Sequence, residues 1–251
     1  MRQILCVGRR ELQRLVSRAA PAPFSAETLS VIIPTLNAAE RLGATLDRVG
    51  DARGAEIIVV DGGSSDDTLS IAKMHGAICL QAERGRGAQL RAGAARASRP
   101  WLLFLHADTL LEQGWVVAAQ AWADRAGADD EFAAFTFKLD DDDWRARLLS
   151  WLVDVRARRL GGLPYGDQGL LIHCDLLNRV GGYAAVPLME DVDLARRLGR
   201  RRLSLLPARA VTSADRWRRD GWVRRSVRNL VCRTLFQIGV SPATIVRLYE
   251  R

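Results

Sequence analysis

Three groups of carboxylates sit where a chain of this kind could do chemistry. Trp101 to Thr109 (W-L-L-F-L-H-A-D-T) is a run of bulky apolar residues that ends in His106 and Asp108. Asp61 follows a second apolar run, Glu56 to Val60, and leads into Gly62-Gly63-Ser64-Ser65. Glu190 and Asp191, with Asp193, open a later segment that reads as a helix to Leu198. A carboxylate oxygen can accept a base N–H, ligate a hard cation, or take a proton from a hydroxyl. Each group alone has a plainer reading. Asp61 could cap a helix and Asp108 could form a turn, while acids in a first helical turn suit the positive end of the helix dipole.

The elements that must position these groups follow from the apolar runs. Ser30 to Pro34 is a short strand, and Asn37 with Glu40 three places on is close to a capping box for a following helix. Glu56 to Val60 is a second strand, after which Ser65 can cap a helix running towards His75. Ala77 to Leu80 is a third strand. Gly85-Arg86-Gly87 then opens a small-residue helix from Ala88 to Ala97. The run at Trp101 reads as a strand buried on both faces, as in a parallel sheet, and ligands bind beyond the carboxyl ends of such strands. The alternation predicts an α/β fold with a mostly parallel, doubly wound sheet.

Beyond a helix over Glu112 to Arg125 the rhythm changes. Phe132 to Leu139 predicts a strand, Asp140 to Asp143 a solvated acidic turn, and Trp144 to Leu160 a helix. Gly161 to Gly169 (G-G-L-P-Y-G-D-Q-G) reads as a loop before a strand at Leu170 to His173, and Tyr183 to Met189 as irregular. The stretch from Leu194 to Arg228 is dense in arginine. Towards its end Val223, Val227 and Leu230 share one face of a helix, and Leu235 and Ile238 extend apolar character beyond it. Such a helix can lie on an anionic membrane, or it can pack on the core with its basic face in solvent.

Net charge is +8, and all but two of the 37 basic residues are arginine, Lys73 and Lys138 being the exceptions. Guanidinium forks suit anionic partners such as nucleotide diphosphates, although a GC-rich genome produces the same bias. No nucleic-acid motif accompanies the charge, so no nucleic-acid partner is expected. Cys6, Cys79, Cys174 and Cys232 are scattered, which suggests neither a zinc site nor a disulfide framework and fits a reducing cytosol. No apolar run is long enough to span a bilayer. Residues 1–28 are expected to be a poorly ordered arginine-rich extension. Their apolar centre at Ile4 to Val7 is too short for a secretory signal, whereas an organellar transit peptide stays open.

The order of the motifs says more than any one of them. Pro34-Thr35-Leu36-Asn37, Asp61-Gly62-Gly63-Ser64, His106-Ala107-Asp108 and Glu190-Asp191 follow one another in a pattern that resembles the family 2 glycosyltransferases, which have the GT-A fold. The resemblance runs from Leu29 to about Asp215. Within the family it is strongest to small bacterial enzymes with G-R-G-x-Q, L-H-A-D-T and G-D-Q-G, here Gly85 to Gln89, Leu105 to Thr109 and Gly166 to Gly169. Some of those are described as acting on carotenoid-type lipid acids.

The resemblance implies a GT-A domain over 29–215 and a basic amphipathic helical segment over 216–251. It implies that Pro34, Thr35, Asn37, Asp61, Arg84, Arg86 and His106 bind the nucleotide. Asp108, the last acid of the family's D-x-D motif, would hold Mg2+ or Mn2+; His106 replaces the first acid and would contact ribose or the outer metal shell. Asp191 would be the general base of an inverting transfer, from a UDP- or GDP-linked sugar to a hydroxyl or carboxyl. Asp167, Gln168, Glu190, Asp193, Trp217 and Arg218 would bind sugar or acceptor. A lipid-linked acceptor would place the enzyme in the cytoplasm, on the inner face of the membrane.

Two other classes compete. A nucleotidyltransferase would carry a glycine- and lysine-rich first loop, which Pro34 to Glu40 lacks. A non-catalytic sugar-nucleotide binder would have no need for Asp61, Asp108 and Asp191 together. A dinucleotide oxidoreductase is excluded, because Gly85-Arg86-Gly87 has no third glycine at the required spacing.

Overall fold

The computed structural model describes residues 23–158 and 166–249. Eight strands form one sheet in the order β3-β2-β1-β4-β7-β6-β8-β5. They are β1 (Leu29–Thr35), β2 (Glu56–Asp61), β3 (Ile78–Gln81), β4 (Trp101–Phe104), β5 (Thr109–Leu111), β6 (Phe132–Asp140), β7 (Leu170–His173) and β8 (Leu203–Ser213). The first four are parallel neighbours. All of β1 and β4 is buried, as expected of strands covered on both sides.

Residues alternate between two cores. Val31, Ile33, Val59, Leu103 and Phe135 face one, with α1 (Ala39–Val49) and α4 (Trp115–Ala123) packed over them. Helix α1 buries Leu42, Thr45, Leu46 and Val49, a spacing of one helical face. Ile32, Ile58, Val60, Leu102, Phe104 and Ile172 face the other core. That side is closed by α3 (Arg86–Arg96), α6 (Cys174–Arg179) and α7 (Glu190–Leu198). Helix α2 (Thr68–Met74) lies against α1.

The second half of the sheet departs from the doubly wound expectation. β7 is antiparallel to β4 and β6, β8 runs parallel to β6, and β5 is antiparallel to β8. The β6–β8 register breaks between Phe135 and Thr136, where Phe135 pairs with Leu206 but Thr136 with Arg209. Pro207, which has no N–H to donate, falls in that bulge. A bulge bends the strand that carries it, and the sheet curls into a half-barrel.

Several local expectations change. Phe24 is buried with its ring edge-on to Trp101, so residues 23–28 belong to the domain; residues 1–22 of the expected extension lie outside the described residues. Asn37 does not cap a helix. It sits at φ 50° and bridges loops, its Oδ1 accepting from Ser65 N–H at 2.9 Å and its own N–H donating to the Ser64 hydroxyl at 2.8 Å. Asp66 does the capping at both helices, accepting from Ala39 N–H at 3.0 Å and Thr68 N–H at 3.1 Å, in place of Ser65. The Asp140–Asp143 turn anchors the C-terminal segment rather than standing free in solvent. Arg218 Nε donates to Asp141 at 2.7 Å and Arg218 Nη2 to the Asp140 carbonyl at 2.9 Å.

That C-terminal segment comprises α8 (Asp215–Asp220), α9 (Trp222–Gln237) and α10 (Pro242–Tyr249). Leu188, Met189 and Val192 at the start of α7 pack with Cys232 of α9 and Ile245 of α10. Helix α9 turns its basic side inward. Arg225 and Cys232 are buried while Val223, Val227 and Leu230 are exposed, the reverse of a core-packed helix with a solvated basic face. Among the described residues no helix is long and apolar enough to cross a membrane, and Cys79, Cys174 and Cys232 are free thiols.

Candidate active site

A cleft of about 1040 Å³ opens beyond the carboxyl ends of β1 and β4. Pro34, Thr35 and Asn37 line one side, Arg84 and Arg86 another, and His106 and Asp108 the floor. Glycines allow this convergence. A Cβ on Gly87 would lie 2.4 Å from the Ala184 carbonyl oxygen and 2.5 Å from that of Val186, so only glycine lets the start of α3 meet that segment. A Cβ on Gly166 would meet His106 Nε2 at 2.5 Å, and the imidazole therefore lies directly against the Gly166 backbone. Gln89 is buried beneath the cleft and ties its loops together, donating to the Thr35 carbonyl at 2.7 Å and the Val60 carbonyl at 2.8 Å.

Asp61 is buried behind the wall rather than exposed in it. Its Oδ2 accepts from Gly63 N–H at 2.9 Å and Ser64 N–H at 2.8 Å; its Oδ1 accepts from the Ser64 hydroxyl and from Thr35 Oγ1 at 3.1 Å. Burial pushes its pKa up, but these hydrogen bonds outweigh burial and hold the carboxyl below its usual range. Four donors fill the four acceptor positions of a carboxylate, so the residue shapes the turn after β2. A base N–H can reach it only if the Ser64 hydroxyl turns away.

Asp167, Glu190 and Asp191 are not among the residues that line the cleft; Asp191 is tied to it through backbone. Asp191 Oδ2 accepts from Gly166 N–H at 2.8 Å and its Oδ1 from Val192 N–H at 2.7 Å. The chain thus runs from His106 across Gly166 to Asp191. Met189, just before this pair, is held at φ 66°, a strained conformation for a side-chain-bearing residue. Its buried packing with Cys232 of α9 and Ile245 of α10 secures it.

Glu190 is the most buried acid of the group, with 1% of its side chain exposed. Arg86 Nε comes within 3.0 Å of its Oε1, yet neither carboxylate oxygen has an aligned hydrogen bond. Burial raises its pKa, Arg86 opposes this and Asp191 adds to it, leaving the group at about 7. Arg86 keeps 32% of its side chain exposed, so the pair is open to solvent on the cationic side. Burial and then the Asp191 charge push Asp167 up to about 6, and its Oδ1 is buried without a hydrogen-bond partner. Burial, followed by the Arg86 charge, holds His106 down to about 4, so its imidazole is neutral at pH 7.

Four expected site residues do other work. Asp193 pairs with Arg197 one turn on, at 2.6 Å, away from Asp191. Gln168 is fully buried and its Nε2 donates to the Phe135 carbonyl at 3.1 Å, next to the β6 bulge. Trp217 packs against Phe137, Leu139 and Ala146. Arg218 is held by Asp141 and Asp215.

Other residues enter the cleft in their place. β5 pairs Thr109 with Thr212 of β8, which brings Ser213, Asp215 and Arg216 beside Asp108; Arg216 Nη2 is 3.9 Å from the Asp108 carboxylate. Arg219, Arg225, Arg228 and Tyr249 complete that wall. The Arg225 guanidinium lies 4.6 Å from the Tyr249 ring centroid, and Asp220 pairs with both Arg225 and Arg228. The density of arginine between 194 and 228 was the available signal, and nothing local placed it here.

A divalent cation fits this cleft in one way. Among the described residues the single group of three His, Cys, Asp or Glu ligand atoms within 4.8 Å of one another is His173, Cys174 and Asp175. That group is elsewhere, and His173 Nδ1 already accepts from Asp175 N–H as a helix cap. In the cleft Asp108, with 28% of its side chain exposed, would supply one carboxylate. Phosphate oxygens of a bound diphosphate and water would supply the rest, a set that suits Mg2+.

The fold is of the nucleotide-diphospho-sugar transferase kind. It is shared with a mannosyltransferase from Pyrobaculum calidifontis, solved with GDP-Man and Mn2+ (TM-score 0.62, 19% identity, 94% of this chain and 73% of that one). It is also shared with S. aureus TarS 1-349 (TM-score 0.60, 16% identity, 88% of this chain and 69% of that one). The pattern of glycosyl transferase family 2 matches residues 30–185, and the chain belongs to that family. A PGL/p-HBAD biosynthesis glycosyltransferase of Mycobacterium tuberculosis is 36% identical over 110 residues, 39% of this chain and 42% of that protein. An uncharacterized glycosyltransferase of the same species is 32% identical over 107 residues, 42% of this chain and 48% of that protein. The chain thus spans under half the length of these relatives.

Proposed function

We propose that this chain transfers a sugar from a UDP- or GDP-linked donor to a hydroxyl or carboxyl of a membrane-resident acceptor, with inversion at the anomeric carbon. The observation that carries this reading is the contact chain that leads from His106, in the lining of a largely cationic cleft, across Gly166 to Asp191 behind it. Pro34, Thr35 and Asn37 flank the nucleoside, while Arg84, Arg86 and Arg216 face the diphosphate. Neutral His106 donates to or accepts from ribose without adding charge.

Asp191 takes the proton as the acceptor oxygen forms its bond to the anomeric carbon. The bond from that carbon to the diphosphate breaks on the opposite side, and the nucleotide diphosphate departs with the electron pair. The Gly166 N–H orients the Asp191 carboxylate for this. Glu190 stands behind Arg86 and sets how much of that cation's charge reaches the phosphates. A cation on Asp108 would neutralise charge on the departing diphosphate.

Asp191→Asn is expected to lower turnover by about 10²-fold or more, the usual worth of a general base, with the dissociation constant for UDP or GDP unchanged. Measuring single-turnover sugar transfer beside nucleotide binding separates the two effects. Full turnover in a variant that still binds nucleotide would refute the assignment.

A further inference from the structure

Among the described residues, eight of the thirteen large exposed apolar side chains fall on two helical faces. Trp144, Leu148, Trp151 and Leu152 stand exposed on α5 (Trp144–Arg158), at positions i, i+4, i+7 and i+8. Val223, Val227, Leu230 and Val231 stand exposed on α9 at the same spacing. Trp144 is 68% exposed and Val223 77%. Each set is one helical face, and each would normally be turned inward. Here the inward faces are otherwise occupied. Ala146, Leu149 and Val153 of α5 pack on Phe137 and Trp217, and α9 turns Arg225 and Cys232 to the interior.

The two helices meet at their amino-terminal ends. Trp222 joins the same apolar cluster as Leu149 and Val153, and the Arg145 guanidinium lies 5.7 Å from the Trp222 ring centroid. Around the apolar side chains stand exposed arginines, Arg145 and Arg147 on α5 and Arg224 on α9.

We infer that the paired outer faces of α5 and α9 form a docking surface for an anionic lipid bilayer, with Trp144 and Trp151 seated at the headgroup level. This rests on the reading of a membrane-resident acceptor. Indole rings favour the boundary between apolar and polar layers, and guanidinium groups beside them match acidic headgroups. The net charge of +8 favours the same partner. A second copy of the chain fits less well. A two-fold interface sets the patch against itself, and so one arginine-rimmed surface against another.

The test uses the full chain with sedimented vesicles of phosphatidylcholine alone or mixed with phosphatidylglycerol. The wild type is expected to sediment with the mixed vesicles, less so in high salt, with a blue shift in tryptophan emission. Trp144→Ser with Trp151→Ser, and separately Val223→Asn with Val227→Asn, should each weaken partitioning by about tenfold or more. Both pairs are exposed and outside the cleft, so melting temperature and UDP binding should stay at wild-type values. Wild-type sedimentation by both variants would overturn the inference. So would a wild-type dimer that these changes dissociate without altering vesicle binding. Transfer to a purely water-soluble acceptor, with vesicle binding intact, would instead refute the acceptor reading and leave the surface standing.

Discussion

Glu190→Gln offers a direct measure of what the active-site geometry costs the fold. Glu190 ionises at about 7 in the folded protein against an ordinary value of 4.5, because burial seals its side chain from water and the Asp191 charge adds to this, which together outweigh the opposing pull of Arg86. Between those two values the folded state holds a proton that the unfolded chain has released. Stability from this group is therefore complete below pH 4.5 and is lost as pH rises through 7. The interval of some 2.5 units corresponds to about 3 kcal/mol, at 1.36 kcal/mol per unit. Glutamine mimics the protonated acid at every pH.

The wild type and Glu190→Gln should therefore match near pH 4.5 and diverge until the variant is about 3 kcal/mol more stable at pH 8.5. Urea unfolding across that range reads the difference. Asp167, raised to about 6, contributes in the same sense at lower pH, and His106, lowered to about 4, in the opposite sense as pH falls from 6.5. Both are present in each protein and largely cancel. Sugar transfer should fall in the variant even as it gains stability, the mark of a group retained for function. Parallel stability curves, or divergence with the wild type the more stable at high pH, would refute the reasoning.

Two further outcomes follow from the same geometry. Gly87→Ala places a methyl 2.4 Å from one backbone oxygen and 2.5 Å from another, and backbone cannot yield as a side chain can. It should cost about 3 kcal/mol despite alanine's better helix propensity, and an unchanged urea midpoint would show that residues 184–186 move freely. Asp108→Ala should weaken UDP binding in the presence of Mn2+ and abolish the metal's effect on affinity. Equal affinity with and without Mn2+ in wild type and variant, measured calorimetrically, would remove the metal from Asp108.

The chain's own pattern was enough for the first half of the sheet. Runs of apolar residues at β1, β2 and β4 have one stable solution, burial on both faces, and each ends in polar residues because it emerges at the sheet's carboxyl edge. Local motifs therefore sufficed to bring Pro34, His106 and Asp108 to one cleft. β8 was not legible. Arg209 and Pro207 interrupt its pattern, and a bulge absorbs the proline, so the strand exists through its pairing with β6 rather than through its own propensity.

The tertiary structure alone decided which arginines enter the cleft, because β8 carries Arg216 to Asp108 only after pairing with β5. It decided that α9 shows its apolar side to solvent, since helical periodicity reveals a face but not its direction. It also separated Asp191 from Asp193. Spacing grouped them as acids of one helical turn, yet two residues along a helix is more than half a revolution, so one meets Gly166 and the other Arg197.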